Sequence, residues 1–89
     1  MPTITFTSHL QRYFDCPVQT VSAATLAEAL ERVFATQPRA RSYILDDQGG
    51  LRSHVAVFID GQRATDRRHL RDTLSPASQV HVLQALTGG

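Results

Sequence analysis

The sequence has no lysine and only one cysteine, and it holds no apolar run long enough to cross a bilayer. Each absence excludes something. The lone Cys16 cannot close an internal disulfide, so the fold must rest on packing alone, which suits a reducing cytoplasm. No metal site is expected either: His9, His54, His69 and His81 follow no common zinc spacing, and one thiol cannot complete one. Spanning a bilayer takes about 20 consecutive apolar residues. The opening Met1-Pro2-Thr3-Ile4 also lacks the basic and then apolar stretches of a signal peptide. The expected location is the cytoplasm, with no membrane partner.

Charge of one sign is scarce as well. Nine basic and eight acidic residues leave a net charge of +1, too weak a field to gather nucleic acid. All nine basic residues are arginines. Genomic base composition is one source of that bias, but it has a chemical consequence: Met1 supplies the only ordinary amine. Copies of the domain therefore cannot be joined through side-chain isopeptides. Repeats, linkers and low-complexity tracts are absent too.

What is present suffices for one small domain. The chain has 89 residues, 42% of them apolar, in the range where a single core sustains a fold. Residues 3–8 alternate, with Ile4 and Phe6 on one side, and read as a half-buried strand. Residues 9–17, with Asp15 and Cys16-Pro17, suit a turn, and Val18 to Ser22 a returning strand with Val18 inward. Thr25-Leu26-Ala27-Glu28 is a capping box, and Leu26, Leu30, Val33 and Phe34 come after it at helical spacing. Pro38 ends that helix, which is expected over 25–36. Tyr43-Ile44-Leu45 is a short apolar run, and Asp46-Asp47-Gln48-Gly49-Gly50 is turn chemistry rather than a cation site. His54 to Ile59 is a strand closed by Asp60-Gly61. Ala64 to Leu74 reads as a helical turn and loop, and Gln79 to Ala85 as the last strand. This order gives an α+β fold, one main helix across one face of a mixed sheet of four to five strands.

After the last strand the sequence reads Leu86-Thr87-Gly88-Gly89. The stretch from Ser78 to Gly89 resembles the final strand and tail of ubiquitin-like proteins, and Val57-Phe58-Ile59-Asp60-Gly61 resembles the strand and turn before it. Within that superfamily, the Ala-Leu-Thr-Gly-Gly ending and Gly50-Leu51-Arg52 are similar to bacterial sulfur carriers: the small subunit of molybdopterin synthase, the thiamine sulfur carrier, and carriers for cysteine or secondary metabolites. The resemblance implies a ubiquitin-like β-grasp domain over 1–85 with a flexible tail at 86–89.

It also implies a chemistry. A carboxylate is a poor electrophile, and the family activates it as an acyl-adenylate that a sulfur nucleophile converts to a thiocarboxylate. Gly89 would carry that group, with Leu86, Thr87 and Gly88 as the tail leading to it. ATP would be used by the activating partner, with no cofactor held permanently. The implied partners are a ubiquitin-activating-like adenylyltransferase, a sulfurtransferase or sulfide source, and a downstream sulfur-accepting enzyme. Five extended residues, Ala85 to Gly89, reach about 17 Å, and two glycines without Cβ atoms can thread a narrow channel.

Strand alternation places Val55, Val57, Ile59, Val80 and Val82 on one face. Ala56, Phe58, His81 and Leu83 fall on the other, an apolar patch that suits a docking site, with Phe58, His81 and Leu83 as partner-binding candidates. Arg63, Arg67, Arg68 and Arg71 are candidates to rim it and meet acidic groups, although a solvated surface is the plainer reading.

No catalytic apparatus stands out: there is no Ser-His-Asp set, and Gly49-Gly50 has no lysine to make a phosphate loop. Cys16 reads as a core or turn thiol rather than a sulfur relay. The expected role is a carrier and not an enzyme, with cysteine or a specialised metabolite favoured as destination. The alternatives are the small subunit of molybdopterin synthase, a covalent protein modifier, or a non-catalytic interaction subunit. Molybdopterin carriers commonly have prolines before the tail, where this chain has Gln84-Ala85. Thiamine carriers are usually shorter around 39–52.

Overall fold

The computed structural model describes residues 1–7 and 18–84. The turn expected over 9–17, Cys16 and the tail at 86–89 lie outside the described residues. Strand β1 is Thr3–Phe6 and β2 is Gln19–Thr20. Helix α1 (Leu26–Thr36) and helix α2 (Pro38–Ile44) come next. The chain continues with β3 (Val55–Ile59), β4 (Gln62–Arg63) and β5 (Gln79–Gln84). The sheet order is β2-β1-β5-β3-β4, with β1 and β5 parallel and the other pairs antiparallel. A mixed five-stranded sheet with its last strand in the middle is the expected ubiquitin-like β-grasp arrangement.

Alternation builds the core. Ile4 and Phe6 of β1, Val55 and Val57 of β3, and Val80 and Val82 of β5 are all buried. They share one cluster with Leu26, Ala29, Leu30, Val33 and Phe34, the apolar stripe of α1.

The start of α1 leaves no backbone donor idle. Leu26 N donates to the Asp72 carbonyl at 2.9 Å and Ala27 N to that of Leu70 at 2.8 Å. Glu28 N donates to Thr25 Oγ1 at 3.3 Å, while Glu28 Oε1 accepts from Ala24 N at 3.0 Å. The segment at 70–72 thereby docks the helix. Leu70 itself has φ +57°, a left-handed conformation that costs a non-glycine residue about 1–2 kcal/mol. Its buried side chain and its carbonyl bond to α1 hold it there.

Two expectations need correction. Val18 does not point inward: its side chain is 58% exposed. The register sets Ile4 opposite Gln19 and Thr3 opposite Thr20, so the inward phase falls on Gln19 and the buried Val21, and Val18 lies outside with Thr20. Second, Pro38 ends α1 but also begins α2, a helix the apolar run at 43–45 did not announce. Proline at the first helical position has the right φ and no donor to waste. Arg41 of α2 pins the two helices, donating to Glu31 Oε1 at 2.8 Å with its guanidinium 5.9 Å from the Phe34 ring centre.

The turns obey their residues. Asp46 Oδ1 accepts from Gln48 N at 2.8 Å and from Gly50 N at 3.1 Å, and Gly49 takes φ +86°. Asp60 and Gly61, at φ +52° and +83°, make the two-residue hairpin turn between β3 and β4.

Candidate functional site

The central strand organises the candidate site. β5 is bonded along one edge to β1, from Thr3 opposite Gln79 to Phe6 opposite Val82. Along the other it is bonded to β3, from Ile59 opposite Val80 to Val55 opposite Gln84. Thr7 N adds a bond to the Val82 carbonyl at 3.0 Å. β5 ends at Gln84, on the end of the sheet where β1 stops and β3 begins, and residues 85–89 continue the sequence from there. Leu86, Thr87, Gly88 and Gly89 lie outside the described residues.

On the face away from the core the register brings the three candidate docking residues together. Phe58 stands opposite His81, and Ala56 opposite Leu83. Thr5 flanks His81 on β1, and Arg63 flanks Phe58 on β4. One row across the sheet thus reads Thr5, His81, Phe58, Arg63. His81 is exposed, and Phe58 and Leu83 are half-buried. Ala56 differs from its neighbours in being only 2% exposed. Its short methyl stands beside the larger Phe58 and opposite Leu83, and side chains of that size shade it.

The arginine run is not a single surface rim. Arg71 Nε donates to Asp66 Oδ2 at 2.9 Å, and an Arg67 terminal nitrogen donates to the Arg52 carbonyl at 2.7 Å. Leu51 N returns a bond to the Arg67 carbonyl at 2.8 Å. Arg67 fastens the 64–74 segment to the residues before β3, while the exposed Arg71 closes a bond within that segment. Arg68 is exposed, and Arg63 lies on the outer face at β4.

Sequence reasoning missed the two carboxylates that order this segment. Asp72 Oδ2 accepts from Thr65 N and Thr65 Oγ1, both at 3.0 Å, and its Oδ1 accepts from Asp66 N at 2.9 Å. Burial works to raise the Asp72 pKa, but these donors outweigh it and the net shift is downward. Asp66 Oδ1 accepts from His69 N at 2.9 Å. The Arg71 side chain foremost, and then the His69 amide, hold the Asp66 carboxyl far below the ordinary range. Aspartates ahead of turn residues were the available signal.

Among the described residues no group of three or more His, Cys, Asp or Glu stands together as a metal site, and no helix is long and apolar enough to cross a membrane. The geometry instead offers one face of mixed apolar and polar character and one secured strand leading to the glycines.

A family model, that of the ThiS family, matches residues 11–89, which runs through both final glycines. The chain belongs to the ThiS family. Solved structures agree with it in fold. The ThiS-family chain superposes on SAMP1 from Haloferax volcanii with a TM-score of 0.81 at 20% identity, covering 99% of this chain and 98% of that one. Against the BexX/CysO complex of Amycolatopsis orientalis the TM-score is 0.83 at 14% identity, with 100% of each chain covered. Urm1 of Sulfolobus solfataricus gives 0.71 at 17% identity, covering 93% of this chain and 99% of that one. At such identities the likeness establishes the fold alone. A sequence search of curated proteins returned no match.

Proposed function

We propose that this ThiS-family chain is a cytoplasmic sulfur carrier whose Gly89 carboxylate is the working group. The observation that carries the reading is the position of β5: the strand that precedes the glycines is central and bonded on both edges. An end that must enter another protein's active site needs a fixed base and a slender tip, and Gly88 and Gly89 have no side chains to obstruct it.

In the first step a Gly89 carboxylate oxygen attacks the α-phosphorus of ATP in a partner adenylyltransferase, and pyrophosphate leaves. In the second, sulfide attacks the acyl carbon and adenylate departs with its electron pair; a sulfurtransferase persulfide would instead give an acyl disulfide, which a second thiol cleaves to release the thiocarboxylate and a new disulfide. The product is a thiocarboxylate, which a sulfur-accepting enzyme consumes. Phe58, His81 and Leu83 form the face that meets the activating partner. The destination favoured is cysteine or a specialised metabolite.

That the CysO chain among the structural neighbours was solved in complex with BexX supports a carrier that works by docking. Modification of proteins is the second reading, favoured by the neighbour described as small archaeal modifier protein 1. A small subunit of molybdopterin synthase is a third.

Intact-mass measurement of the chain from its native cytoplasm separates them. Carriage gives a species in which one oxygen has been exchanged for sulfur at Gly89. Modification gives Gly89 joined to lysines of other proteins instead. If neither appears, and removal of Gly88-Gly89 leaves the cell unaffected, the proposal is wrong.

A further inference from the structure

An acyl group activated for attack by sulfur is open to attack by amines as well. Among side chains, lysine is the ordinary source of such an amine, whereas the guanidinium of arginine stays protonated and does not acylate. Every one of the nine basic side chains here is of the inert kind. The fold allows structural demand to be separated from choice.

Four arginines use the guanidinium for structure. Arg41 reaches Glu31 and the Phe34 ring, Arg52 Nε donates to the Ser42 carbonyl at 2.7 Å, Arg67 reaches Arg52, and Arg71 reaches Asp66. Arg32, Arg39 and Arg68 differ. They are exposed, and their side chains have no hydrogen-bond or ion-pair partner among the described residues. A lysine would serve solvation there equally well, and at the helical positions 32 and 39 it has nearly the same helix propensity.

The amine at Met1 is out of reach within one molecule. Thr3 pairs with Gln79, so Met1 lies at the opposite end of the sheet from Gln84. At ~3.3 Å per residue the separation is roughly 23 Å, beyond the ~17 Å that five extended residues can span.

We propose that the lysine-free surface is a selectivity device: it denies the activated end of one copy any side-chain amine on a neighbouring copy, sparing the carrier conjugation to itself. This rests on the carrier reading. The side reaction it prevents is attack of a lysine nitrogen on the Gly89 acyl carbon, with departure of adenylate, loss of one proton to water, and formation of an isopeptide that ends the carrier cycle.

The test replaces the native chain in its own cell by the triple variant Arg32→Lys/Arg39→Lys/Arg68→Lys. The variant is expected to accumulate covalent self-adducts, mapped by peptide mass spectrometry to positions 32, 39 or 68, at least several-fold above the native chain. Deleting Gly88-Gly89 from the variant should abolish them. If the variant acquires the sulfur-for-oxygen mass change as the native chain does, yet forms no more self-adducts, the selectivity proposal is overturned and the carrier reading stands. If the native chain never acquires that mass change, the carrier reading fails first, by a separate readout.

Discussion

Gly50 faces Arg67 so closely that a β-carbon at position 50 would lie 3.2 Å from the Arg67 carbonyl oxygen and 3.4 Å from the Arg68 α-carbon. Both obstacles are backbone, and the Arg67 carbonyl is already fixed by its bond from Leu51 N. Gly50→Ala is expected to destabilise the domain by about 1–3 kcal/mol, the range for forcing atoms into a packed site. Urea unfolding followed by circular dichroism measures it. Gly61→Ala meets no such crowding and is limited by its positive φ, so it should cost about 1–2 kcal/mol through backbone strain alone.

Thr25→Ala removes the side-chain acceptor that serves Glu28 N. A loss near 1 kcal/mol is expected, with Thr25→Ser close to the native value because the hydroxyl is kept. The same unfolding series provides the comparison, and equal stability of the Ala and Ser variants would remove the cap from the account.

The paired aspartates predict a pH dependence. Both Asp66 and Asp72 have folded-state pKa values below the ordinary 3.8, so the unfolded chain binds more protons in the window beneath that value. Their contribution to stability is present above about pH 4 and fades as pH falls toward the folded-state values. Thermal melts should be nearly level in this respect from about pH 7 to 5 and decline below about 4. Asp66→Asn should start lower at neutral pH and fall less steeply, the two curves converging in acid.

The outer face gives a functional prediction. Phe58→Ala and Leu83→Arg should slow acyl-adenylate formation by the activating partner at least tenfold while circular dichroism stays native, because both side chains lie on the sheet face away from the core. Pyrophosphate release, measured with the partner adenylyltransferase, reports the rate. Unchanged kinetics in both variants would move the docking site elsewhere.

Periodicity was a good guide where one physical cause acted alone. The valines of β3 and β5 sort to one face because alternate residues must, and Thr25 with Glu28 announces a helix start because few other residue pairs cap so well. It misled where two causes competed. Val18 is apolar, but pairing with β1 fixed the phase one residue along and left it outside. Pro38 stops one helix and starts another, and only the first role shows until the packing of residues 38–44 against α1 is known. The site divided the same way. The meeting of Phe58, His81 and Leu83 comes from alternation once the strands are paired. The engagement of Arg67 and Arg71 within the domain does not, since it depends on a carbonyl 15 residues away and on a surface carboxylate whose orientation is set by a turn.

The placement of β5 has a mechanical consequence. A pull applied at Gln84 along β5 acts on a strand laced on both sides, so the load falls on many hydrogen bonds in shear rather than on one at a time. The domain can be tugged by its handle without unzipping, and after letting go it is ready to be gripped again.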